Sequence, residues 1–178
     1  MNKAEFCKSV LKEEGNTHTD VVEVETTNGG YYSYVTDKIY ISNTTIDVTA
    51  KDVVVLCHEC RHSMQDKRLH LLNVVLSNIE IILFVAITLY ILFAELNVWC
   101  VVIYVPCNIL SIIARCILEL PAMISSFDMA KKYCDSQMRL EIECKQKLSK
   151  KMLPLGILSF TWSRIFRICL VIVLAVIV

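Results

Sequence analysis

His58-Glu59-Cys60-Arg61-His62 sets two imidazoles four residues apart with a carboxylate beside the first. On an α-helix, positions four apart lie roughly 40° apart around the axis, so His58 and His62 share a face and can grip one metal ion. Glu59 sits about a quarter-turn away, where its carboxylate reaches a water at the metal rather than the metal itself. The chemistry this suits is hydrolysis. A zinc ion acidifies a water, Glu59 takes the proton as general base and delivers it to the leaving amine. The plainer reading is a surface helix with two histidines and a solvated glutamate. It fits poorly with the apolar Val53-Val54-Val55-Leu56 run that leads into the motif and the long apolar segment that follows.

Cys57-x-x-Cys60 overlaps the same stretch and invites a zinc-knuckle or redox reading. On a helix those cysteines point away from the His58/His62 face, and no second CxxC pair completes a four-ligand site. Two small buried residues are the better account.

Holding two imidazoles rigid requires a framework, and its parts are legible in order. Residues Asn2 to Glu14 read as an amphipathic helix with Phe6, Val10 and Leu11 on one side, stopped at Gly15-Asn16. Val21 to Thr26 alternates valine with glutamate, the pattern of a half-buried strand. After the turn signal Asn28-Gly29-Gly30, Tyr31 to Tyr34 and Lys38 to Ser42 read as two short strands joined at Thr36-Asp37. Asp47 or Thr49 can cap the motif helix, which is expected to run to Lys67 or Arg68.

Beyond His70 the composition changes. The 178-residue chain is 55% hydrophobic with formal net charge +0, and its apolar residues concentrate after His70 and again after Met152. Leu71 to Ala94 is long enough to span a bilayer, which takes about 20 apolar residues. Glu95 and Asn97 mark a turn, Val98 to Leu118 returns as a second span, and Met152 to Val178 is a third, interrupted by Arg164 and Arg167. Glu80 and Arg115, charges inside the spans, read as a helix-packing pair. The expected fold is a mainly α membrane protein, with an HExxH metallopeptidase-like helical core, a small N-terminal β-sheet and about three membrane helices. It divides into an α/β region with the motif helix (1–68), a transmembrane hairpin (69–118), a polar basic helix completing the site (119–151) and a C-terminal membrane helix (152–178).

Lys67 and Arg68 precede the first span, and Lys131, Lys132, Arg139, Lys145, Lys147, Lys150 and Lys151 follow the second, while the connecting turn carries neither lysine nor arginine. By the positive-inside rule both flanks, and the motif with them, are expected on the cytoplasmic side of a multi-pass protein. The 9 cysteines, odd in number and partly inside apolar segments, agree with a reducing compartment. The polar N-terminus lacks a signal-peptide core, so the internal spans are expected to direct insertion. Zero net charge and the lack of a basic patch interleaved with aromatics give no case for nucleic acid. The expected partners are a peptide or protein substrate and the lipid membrane.

Two histidines do not hold a catalytic zinc; a third protein ligand is expected. The hairpin returns the chain to the side of His58 at about Glu119, so that ligand should lie soon after. Here the chain resembles the bacterial membrane-bound neutral zinc metallopeptidases (the YugP-like family). Tyr31-Tyr32 through Ile39-Tyr40-Ile41-Ser42 resembles that family's Tyr-rich segment and "x-x-V-x-L-S" strand. Cys57 to Gln65 resembles "A-H-E-x-G-H-A-I-Q", and Leu120-Pro121-Ala122 resembles the start of "L-P-V-E-F-[DN]-A-S-R-R-A". Leu158-Ser159-Phe160-Thr161-Trp162 to Arg167 is similar to the family's closing helix. The resemblance implies a peptidase that is a divergent member, without the family's N-terminal membrane helix. The family's ligand glutamate falls on Met123 in an ungapped match and on Ser126 after a two-residue shift, and neither is a zinc-binding carboxylate. Asp128, the nearest following carboxylate, is the favoured third ligand. Glu119, one turn before Met123, is the alternative, and a chain with no third ligand would be inactive.

Overall fold

Both ends of the first helix are written in its sequence. The Asn2 side chain accepts from the Glu5 N–H at 2.7 Å while the Glu5 carboxylate accepts from the Asn2 N–H at 3.1 Å, a reciprocal cap that starts α1 (Lys3–Glu13). At the other end Gly15 takes φ +80°, and the Gly15 and Asn16 N–H groups bond the Lys12 and Leu11 carbonyls, the Schellman arrangement. The computed structural model describes residues 2–25, 30–42, 48–93 and 98–177. After α1 come β1 (Asp20–Val24), β2 (Gly30–Ser33), β3 (Lys38–Ser42), α2 (Ala50–Ser63), α3 (Lys67–Phe93), α4 (Val98–Tyr133) and α5 (Ser136–Ile177). The turn expected at Asn28-Gly29, the alternative cap Asp47 and the turn at Glu95 to Asn97 lie outside the described residues.

The sheet order is β1-β3-β2, with β3 parallel to β1 and antiparallel to β2. Central β3 buries Ile39 and Ile41 completely on the face toward α1 and α2. The expected β2–β3 hairpin turns at Asp37, whose φ of +53° is a left-handed conformation that Asp and Asn tolerate. Its carboxylate accepts from Thr19 and Tyr32 hydroxyls, each at 3.0 Å, and from Lys67 Nζ at 2.6 Å. Burial pushes the Asp37 carboxyl up, but the bonds from Lys67, Tyr32 and Thr19 outweigh it and hold the carboxyl below its ordinary value. A depressed folded-state pKa stabilises the fold above the unfolded value, about 3.9, and that contribution is lost as pH falls through the folded value. Asp37→Asn keeps the turn geometry but loses the charge. It is expected to cost about 1 kcal/mol at neutral pH and to flatten the loss of stability below about pH 4, read by denaturant unfolding at several pH values.

Thr49 caps α2 through a second reciprocal pair with Asp52, and Asp52 also meets Lys3 of α1 at 3.1 Å. α2 stops at Ser63, short of the expected Lys67. The Ser63 carbonyl is taken by the Asn16 side chain, just past the end of α1, at 3.3 Å, while Ser63 Oγ donates back to the Cys60 carbonyl at 2.8 Å. Cys57 and Cys60 lie fully buried in the core with Phe6, Val10, Leu11, Leu56 and Ile142. They fix the inward face of α2, so the histidines look the other way.

The chain forms two compact units, Met1–Lys67 with Glu119–Met152, and Arg68–Leu118 with Leu153–Val178. The segment expected to complete the site therefore belongs with the N-terminal region. The expected 119–151 segment is not a separate helix, since α4 runs through its start and α5 continues from its basic part into the last apolar stretch.

Three helices, α3, α4 and α5, are long and apolar enough to cross a membrane. In the second unit the usual polarity of a soluble domain is inverted. Ile82, Phe93, Val102 and Ile103 are exposed, whereas Glu80, Asn108, Ser111 and Arg164 are buried. That pattern suits a hydrocarbon solvent. Glu80 does not pair with Arg115 as expected; it is held by Arg167 through Nε at 2.9 Å and Nη2 at 2.7 Å. Two spans close in sequence suggested the Arg115 pairing, but the third span supplies the cation.

Candidate metal centre

α2 delivers His58, Glu59 and His62, and the first turns of α4 outside the apolar stretch deliver Glu119. Among the described residues, His58, His62 and Glu119 are the group whose donor atoms converge closely enough to hold a metal ion. His58 Nε2 lies 3.0 Å from His62 Nε2, and Glu119 Oε2 lies 3.4 Å and 3.3 Å from them. A tetrahedral ion with ligands at about 2.0–2.1 Å places them roughly 3.3 Å apart. The triangle has nearly that size. Two imidazoles and a carboxylate are also a donor set that zinc accepts.

The orientation of His62 supports the same fit. Its Nδ1 is 2.8 Å from Gln65 Oε1, an amide oxygen that can only accept. Nδ1 therefore carries the proton, and in the neutral ring Nε2 turns a lone pair toward His58 and Glu119. Such a group is stable when a cation or a proton sits among its lone pairs. Burial pulls the His62 pKa down, but hydrogen bonds to Glu119 and Gln65 outweigh it and raise it.

Glu59 stands beside this triangle and outside it. Burial is the main cause pushing its carboxyl up; the nearby His58 and the Tyr32 N–H oppose it. That N–H donates to Glu59 Oε2 at 2.7 Å. Arg61, the other polar residue of the motif, donates through Nε to Ser125 Oγ at 2.9 Å, and Ser125 donates to the Pro121 carbonyl at 2.6 Å. This link ties α2 to α4 within the unit that carries the site.

No protein-family model, curated protein or solved structure matches this chain.

The structure brings His58 and His62 together as the spacing implied, and it brings Glu119 to them, not Asp128. Asp128 is largely exposed and engaged with Lys131 at 2.8 Å and Gln146 at 3.2 Å. Helix geometry explains the difference. Nine residues at about 100° each place Asp128 on the face of α4 opposite Glu119. Met123 and Ser126, four and seven residues on, share the Glu119 face. A signal for Glu119 was thus available, one turn before the position the resemblance indicated. Arg61 and Gln65 carried no signal of their roles, since their partners are set by packing.

Proposed function

We propose that this chain is a membrane-bound zinc metallopeptidase, a divergent relative of the YugP-like enzymes, with His58, His62 and Glu119 holding the metal and Glu59 acting as general base. The observation that carries this reading is the His58–His62–Glu119 triangle of metal-ligand size with a second, separate carboxylate, that of Glu59, at its side. Zinc held there would supply a Lewis acid that acidifies water and polarises a carbonyl. Glu59 takes the proton of the attacking water and carries it to the leaving amine. Gln65 keeps the His62 proton on Nδ1, and the Arg61–Ser125 link holds α2 against α4 so that Glu119 stays in reach. The spans hold the enzyme in the lipid membrane with the basic flanks, and so the site, on the cytoplasmic side; the substrates are peptides or proteins.

The test is metal content of the detergent-purified full chain. One zinc per chain is expected in the parent and in Asp128→Ala, and less than a tenth of that in Glu119→Ala. Chelation should stop hydrolysis of a peptide mixture. A parent without zinc overturns the reading in favour of a non-enzymatic membrane protein, and zinc lost from Asp128→Ala alone overturns the ligand assignment.

A further inference from the structure

In the described residues the sheet ends at β2, and the ladder fixes which way its amides point. Tyr32 stands opposite Ile39 and Gly30 opposite Ile41. The Tyr32 N–H does not reach for β3, since it donates to Glu59 Oε2 at 2.7 Å. In an antiparallel pair, a residue whose N–H points away from its partner strand turns its C=O outward as well. Gly30, two residues back, repeats that orientation. The N–H and C=O of Tyr32 therefore both point outward from β2, the direction along which an edge strand pairs with an added extended chain. Its donor at Tyr32 is already taken by the carboxylate that the hydrolytic reading requires as base.

We propose that the Tyr32 N–H is a positioning group that latches Glu59, and that an extended peptide segment pairing with β2 displaces the carboxylate and frees it for proton transfer. The inference rests on the peptidase reading and narrows its substrates to segments that can enter as a strand. A carbonyl of the incoming chain replaces Glu59 as acceptor. The displaced carboxylate, on the residue next to His58, then has the attacking water as its partner. Because a charged acceptor binds an N–H more strongly than a neutral carbonyl does, the latch opposes docking, and only a segment making the rest of the edge contacts opens it.

Peptide binding to the metal-free full chain tests this, because nothing is hydrolysed there. The probe is a fluorescein-labelled, end-capped hexapeptide of alternating valine and serine, followed by fluorescence anisotropy after chelation. Glu59→Ala is expected to bind the probe about tenfold tighter than the parent, the scale of one hydrogen bond to a charged group. In a Tyr32→Phe background, which keeps the N–H, that gain persists. In Tyr32→Pro, which removes the N–H at an outward-facing edge position where proline is tolerated, binding falls and the gain disappears. Equal affinity of parent and Glu59→Ala, undiminished binding by Tyr32→Pro, or no binding by any variant overturns the latch. Zinc content and hydrolysis by the loaded protein judge the peptidase reading separately. A chain that binds zinc and cleaves peptides with affinity unchanged in Glu59→Ala loses only the latch. One that shows the affinity pattern without zinc loses only the peptidase.

Discussion

Glu59→Gln is expected to abolish peptide hydrolysis while leaving the metal in place. Glu59 lies outside the group of donor atoms formed by His58, His62 and Glu119, so the substitution removes no ligand. Glutamine has nearly the same shape, and its amide oxygen can still accept from the Tyr32 N–H that now meets Glu59 Oε2 at 2.7 Å. What it cannot do is take a proton. Losing a positioned general base costs typically about 10²–10⁴-fold in rate, enough to bury the activity of a slow peptidase. The measurement pairs zinc content with mass-spectrometric detection of products from a peptide mixture. Parent-like proteolysis in the variant would remove Glu59 from the mechanism. Loss of zinc together with activity would instead make it a ligand.

What the sequence revealed about this site follows the range of the forces involved. The His58/His62 pairing is a property of one helix turn, and the caps at Asn2 and Thr49 depend on side chains three residues from their partners. Such local features survive in any context. The three apolar helices were equally legible, because length and composition suffice. Partners from distant elements were not. Glu119 meets the imidazoles only because α4 presents one face to α2, and a nine-residue offset decides that Asp128 points elsewhere. The end of α2 at Ser63 is not legible for the same reason, since the side chain that claims the Ser63 carbonyl belongs to Asn16. The pairing of Glu80 turned on which span brings the cation, and Arg115 and Arg167 are alike in a sequence read one hairpin at a time.

That pairing carries the largest expected effect on stability. Glu80 is wholly buried, and besides the two bonds from Arg167 it accepts from Tyr104 Oη at 2.6 Å and Asn108 Nδ2 at 3.0 Å. Arg164, one turn before Arg167 on α5, donates to Ser111 at 3.0 Å and Ser77 at 2.7 Å. α3, α4 and α5 are thus joined through one polar seam inside an apolar unit. Glu80→Leu leaves the Arg167 guanidinium among apolar side chains with its charge uncompensated, and breaking one partner of a buried pair costs about 3–5 kcal/mol. Tyr104→Phe removes the bond to Glu80 and the one that Tyr104 Oη accepts from Asn108 at 2.9 Å, and it is expected to cost about 1–2 kcal/mol, because the carboxylate and Asn108 keep their other partners. The double variant Glu80→Leu with Arg167→Leu separates pairing from burial. With both charges gone neither is stranded, so the double variant should be more stable than Glu80→Leu alone, and the cycle should show a coupling above about 1 kcal/mol. Thermal unfolding of the parent, Glu80→Leu, Arg167→Leu and the double variant in one detergent measures it. A Glu80→Leu variant that melts with the parent, or a double variant whose loss equals the sum of the singles, would show that the seam does not hold the spans together.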